Sequence, residues 1–261
     1  MFDGFQDKGW VMFGFDSKIA AWAVHAQTAG CKAVHDPQHA EWMQCEGTWF
    51  IGVDALENDP EGRLKGGPPL AGAPLDFIAK NLGPIEPLHR AQLSVMYPGY
   101  PRPRPGEGDA AFRYRVKWDA AHVDGVKLFG ETRRRRVEEP HAWVLGLPLT
   151  RTSTDAAPLV IWEGSHKIMR RAFEKAFADH TPDIWPRVDI TDAYTQARAE
   201  VFETCKRITV HALPGESYLM HRLTLHGVAP WADQATAPEE GRMIAYFRPD
   251  CADLKTWLTA P

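Results

Sequence analysis

His122 and Asp124, one residue apart, and His226, far downstream, carry side chains that together can hold a metal ion. Two imidazoles and one carboxylate can occupy one face of Fe(II) and leave three positions open for a bidentate keto acid and for O2. Arg242, a little beyond the second histidine, can hold the far carboxylate of that keto acid through a charge-assisted pair. The ordered set reads as a candidate non-haem iron oxygenase. The substrate is not written in the same residues.

The His-x-Asp pair is closed by Gly125 and is expected at the end of a strand, FRYRVKW (112–118). On a strand, residues i and i+2 share a face, so both side chains can enter one cavity. The plainer alternative makes Asp124 a turn cap and His122 a core histidine. Three histidines, His211, His221 and His226, compete for the second ligand position. Strict alternation along SYLMHRLTLHG puts Tyr218, Met220, Arg222, Thr224 and His226 on one face and His221 on the other. His226, at a strand end before Gly227, mirrors the His122–Asp124 pair before Gly125 and is preferred. A bulge would turn His221 inward instead. Arg242 opens RMIAYFRP, and Arg248 shares its face by parity, so either can be the carboxylate clamp. The alternative for both is a salt bridge to Glu239 or Glu240.

Several elements must position these residues. Residues 17–29 (SKIAAWAVHAQTA) predict a helix capped by Ser17 and stopped by Gly30, with Ile19, Trp22, Ala23 and Ala26 on one stripe. Short helices are expected over 75–83, 167–178 and 191–205, and strands over 48–53 and 92–97. The Pro/Gly-rich segments 57–74 and 98–108 read as long loops. After residue 112 the chain is mostly short strands between turn signals, among them HAWVLGLPL, PLVIWEG, RITVHAL and RMIAYFRP. Many short strands with uneven spacers favour a sandwich or jelly roll over a parallel α/β sheet. No GxGxxG or Walker-type loop argues for a nucleotide fold.

The length, 261 residues with 44% hydrophobic content, suits one large domain. The net charge of −4 is dispersed and offers no face for nucleic acid. The run Arg133 to Arg136 precedes Glu138 and Glu139, so a solvated, partly self-paired loop is expected, with an anion-binding rim as the sharper option. Cys31, Cys45, Cys205 and Cys251 lie far apart and fit reduced thiols better than disulfides or a zinc site. No apolar run approaches membrane-spanning length, and the expectation is a soluble cytoplasmic protein. The oligomeric state is not written in the sequence.

AAHVDG, PLVIWEGSHK, and LHGVAPW leading into RMIAYFRP resemble the motifs of the phytanoyl-CoA dioxygenase family across roughly residues 90–250. The resemblance implies a mainly β fold with flanking helices and a double-stranded β-helix (jelly-roll, cupin-like) core, braced by residues 1–90. It implies Fe(II) held by His122, Asp124 and His226, with 2-oxoglutarate as cosubstrate clamped by Arg242, and O2 as oxidant. Trp143 falls where the family often sets an aromatic side chain against the keto acid, with plain core packing as its alternative. Ser165 and His166 match a turn bordering the active site and are taken as structural. The retained carboxylate of Asp124 favours hydroxylation over halogenation, with release of succinate and CO2. The insert WADQATAPEE lengthens the gap between His226 and Arg242, and Val228 stands where some relatives carry a small polar group. The substrate is expected to be a small molecule or an acyl group, entering past residues 57–74, 98–108 and 133–136, with Trp162 lining the pocket. A jelly-roll protein that binds a small ligand without catalysis is the rival from another class. A cupin-like metal isomerase, or a dioxygenase without a keto acid, is a second rival enzyme.

Overall fold

The computed structural model describes residues 1–261. The chain opens with helix α1 (Phe2–Lys8), strand β1 (Trp10–Phe13) and helix α2 (Ser17–His35). Strands β2 (Met43–Gln44) and β3 (Trp49–Gly52), helix α3 (Ala73–Asn81), strand β4 (Gln92–Met96) and helix α4 (Asp109–Lys117) follow. Then come β5 (Val126–Phe129), β6 (Arg134–Val137), β7 (Trp143–Pro148), β8 (Leu159–Trp162), α5 (Ser165–Phe177) and α6 (Thr191–Thr204). The chain closes with β9 (Arg207–Val210), β10 (Ser217–His221), β11 (His226–Val228), β12 (Arg242–Phe247) and α7 (Leu254–Thr259).

A seven-stranded antiparallel sheet has the order β1-β10-β7-β12-β4-β3-β2, and a three-stranded sheet has the order β11-β8-β9. His122 extends the smaller sheet by bridging His226. The chain alternates between the layers: β4 in the large sheet, His122 in the small one, β7 back in the large, β8 and β9 in the small, then β10, β11 and β12 alternately. That winding is a jelly roll, the double-stranded β-helix core. Between the sheets lie Val144, Leu159, Ile161, Val210, Tyr218, Met220 and Ile244. Behind the large sheet, Ile19, Trp22 and Ala26 of α2 pack on Leu93, Val95, Leu145, Leu147 and Phe247. Behind the small sheet, Val160 and Trp162 meet Phe173 and Phe177 of α5, Tyr194 and Val201 of α6, and Trp257 of α7. No helix is long and apolar enough to cross a membrane.

Five sequence expectations are corrected. Helix α2 runs past Gly30 to His35, because Gly30 lets the helix press onto β12: an added Cβ there would lie 2.7 Å from Met243 Sδ. Its cap is Asp16, whose carboxylate accepts from the Lys18 and Ala73 amides and so ties α2 to α3. Residues 112–118 are not a strand but the body of α4 and its end, with Asp109 in the first turn and Arg115 and Lys117 in the last, as the helix dipole favours. SYLMHRLTLHG is not one strand: β10 ends at His221 and the chain turns through 222–225 into the other sheet. The arginine run is not a loop. It forms β6 of a β5–β6 hairpin, where Arg134 pairs with Asp189, Arg136 with Glu138, and Arg135 lies over the Tyr194 ring.

Candidate metal centre

Helix α4 ends in Trp118, whose ring stacks on Phe202 at 4.0 Å. Asp119 and Ala120 then take left-handed φ values of 52° and 55° and reverse the chain into His122. The turn is pinned by Arg207, which donates to both carboxylate oxygens of Asp119 at 2.7 and 2.9 Å. His122 and His226 exchange backbone hydrogen bonds of 2.8 and 3.0 Å, locking the two segments side by side. Val123 between the ligands is buried, and its amide donates to the Tyr194 hydroxyl at 3.2 Å. Gly227 permits this close approach, since a Cβ at that position would stand 2.0 Å from the Asp119 carbonyl oxygen.

The potential ligand atoms of His122, Asp124 and His226 all lie within 4.8 Å of one another. Nε2 of His122 is 3.2 Å and Nε2 of His226 3.7 Å from Asp124 Oδ1. Each Nδ1 is turned away, to the Ala120 carbonyl at 3.0 Å and the Thr224 carbonyl at 2.9 Å. A carbonyl can only accept, so each Nδ1 carries the proton and each Nε2 presents its lone pair to the cluster. Burial alone would raise the Asp124 carboxyl, but His226, His122 and Arg248 outweigh it and hold it well below the carboxylate range, and Arg248 is the cation that remains when the imidazoles are neutral. Burial pushes His226 down to about 4, against the pull of Asp124. An ionised carboxylate beside neutral imidazoles is the protonation state a divalent metal requires.

Arg242 and Arg248 share a parity on and just beyond β12 and face the space between the sheets. Arg242 is buried, with Nη1 lacking any partner, near Tyr218, Val210 and His211. The Tyr218 and Tyr246 hydroxyls are 2.8 Å apart in the same space. Arg248 sits at the metal end: its Nη1 is 3.6 Å from Asp124 Oδ2, and its Nη2 donates to Gln92 Oε1.

Other expected site residues fall elsewhere. Trp143 belongs to the core behind the large sheet with Leu145 and Leu147, so the keto-acid role expected of it is corrected: Val144, its neighbour, faces inward. Trp162 lies in the core behind the small sheet, 5.3 Å from the Phe202 ring. His221 is buried beside His166, its Nε2 3.0 Å from Arg170, away from the cluster. Ser165 accepts from the Leu225 amide at 2.9 Å and so braces the turn into β11. Residues 57–74 pack largely against α2, with the Gly62 carbonyl accepting from the Trp22 indole. Tyr194 and Gln92 support the site in ways only the folded chain reveals, whereas Ser165 has the structural role expected of it.

No family model matches the chain, and no curated protein matches it. Among solved structures it is similar to the non-heme alpha-ketoglutarate-dependent carbocyclase SnoK of nogalamycin biosynthesis (12% identity, 95% of this chain and 82% of that one, TM-score 0.46). It is also similar to EctD from S. alaskensis with bound Fe (13% identity, 95% and 75% covered, TM-score 0.44). AviO1 from Streptomyces viridochromogenes is a third (13% identity, 97% and 94% covered, TM-score 0.47).

Proposed function

We propose that the chain is an Fe(II)- and 2-oxoglutarate-dependent oxygenase that hydroxylates a small organic molecule, as its phytanoyl-CoA dioxygenase-like motifs imply. The observation that carries the reading is the orientation of two imidazoles, each with Nδ1 tied to a backbone carbonyl and Nε2 aimed at one carboxylate oxygen. His122, Asp124 and His226 would hold the iron, and the donor set suits it. Arg242 would hold the far carboxylate of 2-oxoglutarate, since its buried, unpartnered Nη1 calls for an anion.

Strand pairing supports Arg242 over Arg248 for that task. His226 pairs with Ile161, whereas Val210, beside Arg242, pairs with Leu159. Arg242 shares its cavity with Val210 to Ala212, so it lies at least two residues deeper, ~7 Å, a depth sufficient for the span of a five-carbon diacid. The space against Arg242 measures about 10 Å³, room for one water. A keto acid reaches it only as Tyr218 and its neighbours give way.

Iron and 2-oxoglutarate, when bound, would supply the oxidation: O2 would be consumed, the keto acid converted to succinate and CO2, and a substrate C–H hydroxylated. The chain's share is orientation. The backbone carbonyls of Ala120 and Thr224 hold the imidazole tautomers, and Arg242 fixes the keto acid. The four free cysteines support a reducing, cytoplasmic setting. Anaerobic titration with Fe(II) and 2-oxoglutarate tests the reading. A weak visible charge-transfer band that needs both, and is lost in His226→Ala, is expected. No band and no tight iron binding would favour a non-catalytic ligand-binding jelly roll.

A further inference from the structure

Arg248 borders the metal cluster with most of its hydrogen-bonding capacity unused. A guanidinium has five N–H donors. Here Nη2 serves Gln92, Nη1 stands 3.6 Å from Asp124 Oδ2, and the buried Nε has no partner. The 3.6 Å separation is an ion pair beyond hydrogen-bond distance. The Arg248 side chain keeps 17% of its surface exposed, beside a His122 that is 51% exposed, so part of it is reachable from solvent although Nε is shielded. A largely buried cation with free donors is unfavourable unless an anion meets it. Asp124 serves this purpose weakly, because iron would share its charge.

The charges around the site point to what the anion is. This argument rests on the iron and 2-oxoglutarate reading. Iron and the two arginines bring positive charge, while Asp124 and the keto-acid dianion bring negative charge, and one positive charge is left over. No acid other than Asp124 is within ion-pair distance of Arg248, and none is within that distance of Arg242. Asp250 and Glu139 stand nearby at the rim around His141, but their side chains are 83% and 47% exposed and water screens them. We infer that Arg248 recognises a carboxylate on the substrate and so places a singly charged organic acid beside the metal. A planar guanidinium matches a planar carboxylate. A phosphate dianion would exceed the charge left over.

The test uses the whole protein, anaerobic, with saturating Fe(II) and 2-oxoglutarate, and reads the visible band as octanoate and benzoate are added, each against its primary amide. Each protein's band before addition is its own baseline. The acids are expected to shift the band at concentrations at least about tenfold below those of the amides. That preference should shrink in Arg248→Lys and vanish in Arg248→Gln. Equal response to acid and amide overturns the inference, as does no response to the acids or a preference that survives in Arg248→Gln. Bleaching that extra 2-oxoglutarate reverses would mean competition at Arg242 and overturns it too. The acid-versus-amide comparison in the native protein needs no variant, so a poorly folding Arg248→Gln leaves the test intact. A native protein in which the band never forms defeats the iron and 2-oxoglutarate reading instead.

Discussion

Mild acid is expected to destabilise this protein steeply, because the fold buries four imidazoles, His141 among them, and burial lowers three of them most strongly. Burial pushes His166 and His226 from 6.5 down to about 4, and His221 well below 6.5. Between those values the unfolded chain binds protons that the folded chain does not. More protons on the unfolded state means that stability rises with pH across the window and is lost as pH falls. Each such histidine changes stability by ~1.4 kcal/mol per pH unit. At about pH 5 His166 and His226 together remove roughly 4 kcal/mol, and His221 adds to this in the same sense, against the roughly 5–15 kcal/mol that a domain possesses. Asp124 acts in the same sense but only below its ordinary 3.8, because its folded value is depressed. Urea unfolding of the metal-free protein, followed by tryptophan fluorescence at several pH values from about 7.5 to 5, measures the slope. His166→Gln should flatten it by about one third at most, since it removes one of the three most strongly lowered imidazoles. A midpoint that holds steady across the range would refute the claim that these imidazoles are kept neutral. Added Fe(II) should stabilise most near neutral pH and progressively less in acid, as protons compete for His226.

Further outcomes follow from the site and its supports. Asp124→Ala should abolish the proposed hydroxylation, and full turnover at ordinary iron concentration would defeat its assignment as a ligand. Arg242→Gln removes charge-assisted hydrogen bonds worth roughly 1.5–3 kcal/mol each, so keto-acid affinity in the band titration should fall about 10- to 100-fold or more. Trp143→Ala should cost about 3–5 kcal/mol of stability in denaturant melts. In that variant 2-oxoglutarate affinity stays close to native, which separates a core role from a cofactor role. Gly227→Ala should impair iron binding in a metal titration, because its Cβ would stand 2.0 Å from the Asp119 carbonyl oxygen that the Val228 amide needs.

The chemistry was more legible in the sequence than the framework that positions it. His122, Asp124 and His226 stand out because a metal accepts few side-chain types, and the structure does bring the three together. Helix α4 was hidden because FRYRVKW alternates polar and apolar residues, and none of the nine residues of α4 is fully buried to mark a helical stripe. The orientation of Trp143 was hidden for the opposite reason. All six residues of β7 are buried, so a strand covered on both faces carries no parity signal.

The break between β10 and β11 shows the limit of local reading most clearly. Arg222 to Leu225 contains no glycine or proline, and alternation predicts one continuous strand. The chain leaves the large sheet because distant groups receive it: Gly9 accepts from Thr224 Oγ1 at 2.8 Å, and Ser165 Oγ accepts from the Leu225 amide at 2.9 Å. The same turn frees the Thr224 carbonyl to hold His226 Nδ1. A continuous strand would have kept that carbonyl for the ladder and left the His226 tautomer unfixed. The sheet switch that the local pattern conceals is thus what aims the second imidazole at Asp124.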